Sequence, residues 1–455
     1  MASSSRHLLG LPGELLEHVL SFLHPNDTVH FGRTCRSAYD FTRPSNKLLW
    51  RSAFLHVFDD PRDVWAELLP SSRALTKTRE AGWDWHDELG RRMRVLRVFQ
   101  DDDVDAIQGN HDEITGTIID TFETAYIATG RNLTYLDQVF QASSNAERLV
   151  HDFHNGIENY CASNDTRVDR SMITRSMVPR QPVSPDSSKL HVFYGPTRRE
   201  FASKPSRVGA RAVVYDWSIT GPDADHGPFI KDLSGQVNWT SMEAIASLMS
   251  RNFDSAKDVH LETPIGFRNN IRHLSPQNPE FPNDWAGVSG KWIGTYAFLD
   301  YRDLVHYNIA HGPEHGAGLE SYEEATGDLM LLDLRLDESD EAKNDPRFRT
   351  PLPVCEDLPV LYFSGISRSH RSHTPRISIR GSASLVPGGR EVRWRFLINY
   401  AGADQWQLEG VQPGGVRSGG IFGIWTHCDH DENGPIGPFC YYPYSLCENK
   451  EELDF

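Results

Sequence analysis

The chain has 455 residues, and 63 acidic against 46 basic side chains give it a formal net charge of −17. This acidity argues against a protein that binds nucleic-acid phosphates or an anionic membrane surface. Six cysteines are too few for a disulfide scaffold and favour a reducing compartment. Because no run of about 20 apolar residues is found, we expect a protein of the cytoplasm, the nucleus or both.

Short helices are predicted in the first 58 residues. The first begins at Pro12, since a missing N–H costs little at a first helical position. Apolar residues cover about half of its circumference, more than the usual amphipathic arc. They are Leu11, Leu15, Leu16, Val19, Leu20, Phe22 and Leu23. Because about 50 residues are too few to bury a good core alone, this surface is expected to dock onto another surface.

This segment resembles the F-box, the motif by which substrate receptors dock on the Skp-type adaptor of cullin–RING ubiquitin ligases. The resemblance covers residues 8–58 and rests on Leu11-Pro12, Cys35-Arg36 and Leu49-Trp50, which follow the family's order and spacing. The adaptor-binding residues that it implies are Leu11, Pro12, Leu15, Leu16, Val19, Leu20, Leu23, Phe31, Cys35, Tyr39, Leu49 and Trp50. The alternative is a helical subdomain that packs on the rest of the chain.

The middle of the chain is predicted to contain three segments that differ in secondary structure. Residues 59–162 are predicted to be a helical region, with helices near 83–100, 114–128 and 145–160. Residues 163–189 have the composition of a linker or exposed loop. Residues 190–284 are expected to be a mixed α/β segment, with a buried strand at Arg211–Trp217 and a helix that begins with a capping box at Thr240–Glu243.

From about Trp285 the hydrophobic period becomes two, which predicts a β-rich domain over residues 285–447. Residues Glu391–Asn399 alternate cleanly between apolar and polar side chains. Further strands are predicted at 292–299, 330–336, 359–366, 376–385, 405–411 and 420–426. About seven strands with glycine-rich turns favour an antiparallel barrel or sandwich. The whole chain is therefore expected to be α+β.

Several stretches of this second part resemble a group of fungal F-box proteins of unassigned substrate. They are Arg211–Ser218, Trp292–Tyr296, Gln405–Val411, Ile424–Thr426 and Gly434–Phe439. The Trp292–Tyr296 stretch also has a fainter resemblance to the β-barrel substrate domain of F-box only protein thirty-one. These resemblances imply that the β domain binds a protein substrate.

Candidate substrate-binding residues come from the aromatic and basic side chains of the strand region. Most such aromatic residues belong to a core, but some at the mouth of a barrel can anchor a bound peptide. The two arginines share one face of their strand, where solvation competes with pairing to acidic substrate groups. The candidates are Trp292, Tyr296, Arg393, Arg395, Trp406 and Trp425.

A metal site has two sequence candidates, and both fail on ligand spacing. Asp429, Asp431 and Asn433 match the first positions of a calcium loop, but Cys440 stands at position twelve, where a bidentate carboxylate is needed. A second set fits no zinc motif. It consists of His427, Cys428, His430, Cys440 and Cys447. We expect an acidic loop between strands, with no metal and no cofactor.

The sequence contains no nucleophile elbow, no P-loop, no dinucleotide fingerprint and no zinc-protease motif. The sequence therefore predicts a non-catalytic substrate-recognition subunit of a Skp–cullin–F-box ubiquitin ligase. Its partners would be a Skp-type adaptor, through it a cullin–RING scaffold, and a protein substrate. The competing hypotheses are a ligand- or metal-binding β-barrel that is tethered or regulated through its F-box, and an unrecognised hydrolase.

Overall fold

The computed structural model describes residues 8–68, 81–126, 129–141, 146, 149–150, 184–256, 261–264, 266–271, 283–311, 319, 322, 324–369 and 377–448. The chain divides into two compact units, unit 1 of residues 1–67 and 72–146, and unit 2 of residues 68–71 and 147–455. Most of the predicted helix 145–160 and of the predicted linker 163–189 lies outside the described residues. Within the described part, no helix is both long and apolar enough to cross a bilayer.

Unit 1 is helical throughout its described part. Its helices are α1 (Gly13–Ser21), α2 (Pro25–Gly32), α3 (Arg36–Phe41), α4 (Lys47–Val57), α5 (Pro61–Leu68), α6 (Trp85–Gln100), α7 (Val104–Gly109), α8 (His111–Glu123) and α9 (Arg131–Gln141). Side chains satisfy the free N–H groups at several helix starts. Asn46 accepts from the Leu49 N–H at α4, and Asp84 accepts from two N–H groups at α6. The helices predicted near 83–100 and 114–128 are α6 and α8.

A buried arginine joins the first helices of unit 1 to those that follow. Arg92 of α6 is fully buried, and its guanidinium lies 5.1 Å from the ring centre of Phe54 in α4 and 4.8 Å from that of Phe58, which directly follows α4. It donates to the Thr124 hydroxyl at 2.8 Å. Burial lowers the pKa of Arg92 to about 10. Because α4 and α6 share this core, the first 58 residues do not have to bury a core alone.

The helices of unit 2 are α10 (Pro185–Tyr194), α11 (Arg198–Ala202), α12 (Lys204–Val214), α13 (Trp239–Ala256), α14 (Tyr301–Val305) and α15 (Asp340–Asn344). The last five residues of the predicted linker are therefore helical, because Ser184 caps a helix that starts at Pro185. The cap of α13 is Asn238, which accepts from the Ser241 N–H, so the helix is capped two residues before Thr240, the first residue of the predicted capping box.

The strand predicted at Arg211–Trp217 is wrong, because most of this stretch belongs to α12. Its run of branched and aromatic residues is typical of a strand. Ser203, however, accepts a hydrogen bond from the Ser206 N–H and starts a helix, and that helix buries Val208 and Val214. The helix that starts at Lys204, seven residues before Arg211, therefore overrides the local preference for a strand.

The β-rich part of unit 2 is a closed barrel. Its strands are β1 (Gly290–Phe298), β2 (Ala325–Thr326), β3 (Met330–Leu336), β4 (Leu361–Ser369), β5 (Ile377–Leu385), β6 (Val392–Tyr400), β7 (Ala403–Gln412), β8 (Ile421–His427) and β9 (Ile436–Pro443). Each strand from β3 to β9 pairs antiparallel with the next, β1 pairs with β3, and β9 returns to β1. The short β2 pairs with the end of β1. The described strands thus close an eight-stranded antiparallel barrel, and the predicted α+β class is confirmed.

Aromatic rings from several strands pack together in the barrel core. Trp292 lies 5.2 Å from Trp394, and Phe396 lies 5.4 Å from Phe363 and 6.2 Å from Phe439, measured between ring centres. All five are buried. These contacts join β1, β4, β6 and β9, so rings from strands that are not neighbours hold the barrel together.

A buried charged cluster connects three helices of unit 2, α10, α11 and α13. His191 of α10 contacts Glu200 of α11 at 2.8 Å through Nε2, and Glu243 of α13 through Nδ1. Burial alone would lower the pKa of His191, but the two carboxylates outweigh it and raise the pKa to about 10. Phe253 of α13 contacts Tyr442 of β9, which links these helices to the barrel.

Candidate functional site

Helix α1 has an apolar stripe that faces solvent. Leu11, Leu15, Val19 and Phe22 recur at helical spacing and are between 38% and 61% exposed. We call these four residues the α1 stripe. Large apolar side chains scattered over a surface are ordinary, but a contiguous row of them marks an interaction site.

The opposite face of α1 belongs to the core of unit 1. Leu16 and Leu20 pack with Leu49 of α4 in one buried cluster. Trp50 is also buried, and its indole N–H donates to the Arg43 carbonyl at 3.0 Å. These contacts explain why apolar residues cover half of α1: one face packs inside, and the other meets solvent.

The structure therefore divides the predicted adaptor-binding set. Leu16, Leu20, Leu49 and Trp50 are no more than 3% exposed, so in this structure they lie in the core behind the exposed face of α1. Leu23 and Phe31 are half-buried against the same cluster. The members that reach the surface are Leu11, Pro12, Leu15, Val19, Cys35 and Tyr39.

Arg393 and Arg395 of β6 are buried on the outer face of the barrel. Arg393 contacts Glu409 of β7 at 2.8 Å, and both arginines contact Asp225 at 2.5 Å. Thr350 donates to the same Asp225 carboxylate at 2.6 Å. The side chains are 6% and 4% exposed. They are thus neither solvated, as the sequence favoured, nor free to pair with a substrate, and they form an internal charged cluster.

Three of the six substrate-binding candidates come together at one end of the barrel. The ring centre of Trp425 lies 6.2 Å from that of Tyr296 and 5.1 Å from that of Trp406, both edge-to-face. Trp292, in contrast, is buried in the barrel core. The strand order explains this grouping, since β1 and β8 end, and β7 begins, at the same end of the barrel.

Two further aromatic residues belong to this end and were not predicted. Phe298 stacks on Tyr296 at 6.2 Å, and Tyr400 ends β6. Both continue an alternation that the sequence shows, from Trp292 through Tyr296 in β1 and from Trp394 through Phe396 in β6. Phe298 falls within the predicted strand 292–299, and Tyr400 lies one residue beyond the predicted strand Glu391–Asn399. We call these five residues the aromatic mouth: Tyr296, Phe298, Tyr400, Trp406 and Trp425.

The acidic loop is the turn of the β8–β9 hairpin, as expected for a loop between strands. Asp429 pairs with Arg347 at 3.3 Å, and Asp431 lies 3.9 Å from His427 Nδ1. Asn433 has a φ of 64°, a left-handed conformation that asparagine tolerates in turns. The twelfth loop position, Cys440, is buried in β9. This is the geometry of a hairpin turn and not that of a calcium loop.

A second donor set in the same hairpin fits a metal poorly. The donor atoms of His427, Cys428 and Asp429 lie within 4.8 Å of one another. Burial raises the pKa of the Cys428 thiol, which donates to the Asp404 carbonyl at 2.9 Å. A metal would need the thiolate, and the Arg347 guanidinium beside Asp429 repels a cation.

The hairpin also contains a stacked histidine pair that makes stability depend on pH. His430 lies 3.6 Å from His226, with the rings parallel within 2°. Burial, the facing His226 and Arg395 lower the pKa of His430 to about 4. An unfolded histidine titrates near 6.5, so as the pH falls below about 6.5 the unfolded state binds a proton that the folded state refuses until about 4.

We therefore expect the melting temperature of the full chain to fall between pH 7 and pH 5, and to fall less in the variant His430→Asn. Thermal unfolding at pH 7, 6 and 5 measures this slope. His18→Asn, which changes an exposed histidine of α1, is the control and should keep the wild-type slope. An unchanged slope in His430→Asn would contradict the assignment.

The fold and the α1 stripe define an α+β protein in which a helical domain carries an exposed apolar stripe and a second part forms a closed antiparallel β-barrel. Residues 8–56 match the F-box-like family. The chain therefore contains an F-box-like domain at its start, as the resemblance over residues 8–58 predicted. Comparison with curated proteins finds no match, and comparison with solved structures finds none.

Proposed function

We propose that this protein is the non-catalytic substrate-recognition subunit of a Skp–cullin–F-box ubiquitin ligase. The α1 stripe within an F-box-like domain is the observation that carries the proposal. A Skp-type adaptor would cover the stripe and connect the chain to a cullin–RING scaffold. The barrel would hold a protein substrate, so that a substrate lysine is brought close to a ubiquitin-charged enzyme on the same scaffold.

The packing behind the stripe supports a docking role. Leu16 and Leu20 fix α1 against α4, so the stripe is held in one orientation before any partner binds, and little conformational entropy is lost on docking. Burying each large apolar side chain contributes about 1.5–3 kcal/mol. Tyr39 and Leu48, which are 59% and 63% exposed, add apolar surface in the same domain. Together they could form the centre of an interface of roughly 1,600 Å².

The proposed domain assignment follows from the same reasoning. The F-box would occupy residues 8–58, the helical region 59–162 would extend its core, and the β domain 285–447 would recognise the substrate. The described cysteines are free thiols, which supports a reducing compartment such as the cytoplasm or the nucleus.

Co-expression of the full chain with a Skp-type adaptor tests the proposal. We expect a one-to-one complex in size-exclusion chromatography, and slower amide hydrogen exchange in α1 when the adaptor is present. Adding the cullin–RING scaffold with ubiquitin-activating and ubiquitin-conjugating enzymes should support ubiquitin transfer to proteins that the chain captures. Separate elution of the chain, under conditions in which the same adaptor binds another F-box protein, would refute it.

A further inference from the structure

The aromatic mouth is partly exposed and its rings are fixed in place. Tyr296 and Tyr400 are each 37% exposed, whereas Trp425 is 9% exposed. The Trp425 indole N–H donates to the Ala297 carbonyl at 3.0 Å. Gly327 lies so close to the Tyr296 ring that a Cβ at this position would overlap it. The ring orientations are therefore set before a ligand arrives, which lowers the cost of binding.

A carboxylate stands beside these rings. Asp328 directly follows Gly327, which lies against the Tyr296 ring, and its main-chain carbonyl accepts from the Thr295 hydroxyl at 3.4 Å. Burial and then the charge of Asp328 raise the pKa of Tyr296. The Ser369 hydroxyl donates to Asp328 Oδ2 at 2.7 Å and holds it in position. Asp328 itself is half-buried, so its charge is weakly screened and acts strongly on a nearby group.

The negative charge of Asp328 is not neutralised by a basic side chain in the described part of the chain. Among the described residues, no lysine, arginine or histidine pairs with it. Asp404, at the start of β7, is already neutralised by Arg380 at 2.6 Å, and Glu409 is neutralised by two arginines. Asp328 is thus a negative charge that the described fold leaves without a counter-ion, next to exposed aromatic faces.

We propose that the aromatic mouth and Asp328 bind a positively charged side chain, lysine or arginine, of a protein substrate. Aromatic faces attract a cation through the ring quadrupole, and the carboxylate supplies the counter-charge. The methylene stem of a lysine or arginine would lie along the rings. The net charge of −17 favours the approach of a basic segment. That the ligand is a protein rests on the proposed receptor function.

Capture of nonapeptide pools by the full chain tests the site. Each pool has mixed flanking residues and one fixed central residue: lysine, arginine, trimethyllysine, acetyllysine, leucine or glutamate. We expect the three cationic pools to be retained at least about tenfold more than the three others, because acetylation removes the charge and keeps the length. Trimethyllysine separates the contribution of the charge and the aromatic contact from that of a hydrogen bond to Asp328. It keeps the charge and the aromatic contact but cannot donate that hydrogen bond.

Two variants and two controls locate the site. Asp328→Asn and Tyr296→Leu should each lower retention of the lysine pool about tenfold, the loss expected for one desolvated charge or cation–aromatic contact. Asp333→Asn on β3 and Tyr301→Leu on α14 change the same residue types elsewhere and should retain wild-type binding. Circular dichroism confirms that each variant is folded.

Equal retention of the lysine and acetyllysine pools, retention of no pool, or a wild-type preference in Asp328→Asn would overturn the proposal. A failure of the proposed ligase function would give a different pattern of results. If the adaptor does not bind but cationic pools are retained, the docking role of the α1 stripe fails and the peptide site stands. The mouth variants should leave adaptor capture unchanged, because α1 and the barrel belong to different units.

Discussion

Replacing Leu15 and Val19 together by aspartate should abolish capture of a Skp-type adaptor while unit 1 stays folded. Both side chains are exposed, at 53% and 41%, so the folded state loses few internal contacts. On binding, each aspartate would forfeit about 1.5–3 kcal/mol of apolar burial, and its charge would have to be desolvated. A loss of more than about 100-fold in affinity is expected. Calorimetric titration with the adaptor measures it, and thermal unfolding checks the fold.

A matched control lies in the same unit. Thr134 and Gln138 face solvent on α9 with the same four-residue spacing, so Thr134→Asp with Gln138→Asp adds the same charges away from the stripe. This control should bind the adaptor like the wild type. A Leu20→Ala variant should instead cost about 2–5 kcal/mol of folding stability, because Leu20 is fully buried. Undiminished binding by the double variant at Leu15 and Val19 would exclude docking through the α1 stripe.

The sequence predicted that the broad apolar arc of α1 docks onto another surface, but it could not say which part of the arc packs inside unit 1. Leu15 and Leu16 are adjacent and equally apolar, yet one is half-exposed and the other is 3% exposed. Helical periodicity fixes the angle between two faces and not the direction in which either points. That direction is set by α4, through Leu49, which is a tertiary contact. Residues that resemblance assigns to an interface can therefore include those that build its support.

The barrel strands were well predicted where alternation was clean, as in β6, and missed where prolines interrupt it. Strand β9 contains Pro438, paired with Ile424 of β8. Proline lacks the N–H of a ladder hydrogen bond, so it argues against a central strand. Here β9 nevertheless pairs with both β8 and β1 and closes the barrel. Local pattern cannot reveal a closure that depends on two distant strands.

Arg393 and Arg395 show a second limit of sequence reasoning. Alternating arginines on a strand predict a solvated face, because nothing nearby in the sequence covers them. Their cover is Asp225, which is 168 residues before Arg393, together with Thr350. The sequence thus assigned the aromatic and the charged residues of β6 to the correct faces of the strand. It could not show that Asp225 and Thr350 cover the charged face, because these residues are distant in the sequence.

The largest effect on stability that we predict for unit 2 comes from this buried charged cluster around Glu409. Glu409 is 1% exposed and contacts both Arg393 and Arg395. Removing one partner of a buried ion cluster leaves the others charged and desolvated, which costs about 3–5 kcal/mol. Glu409→Ala should therefore lower the free energy of unfolding of unit 2 by about that amount, as measured by denaturant titration. Glu338→Ala, at an exposed glutamate after β3, should change it by less than about 0.5 kcal/mol.

Replacing all four charged residues of the cluster together should show whether the loss of stability in Glu409→Ala comes from arginines left unpaired or from the loss of a net attraction. If the cost of Glu409→Ala comes from unpaired arginines, the combined variant Arg393→Met, Arg395→Met, Glu409→Leu and Asp225→Asn should be more stable than Glu409→Ala alone, since no charge is then left without a partner. If the combined variant is instead the less stable of the two, the charges that remain in Glu409→Ala, on Arg393, Arg395 and Asp225, attract one another by more than their desolvation costs. A change below about 1 kcal/mol in Glu409→Ala would contradict both accounts, because it would mean that water reaches the arginines and that β6 is not sealed on its outer face.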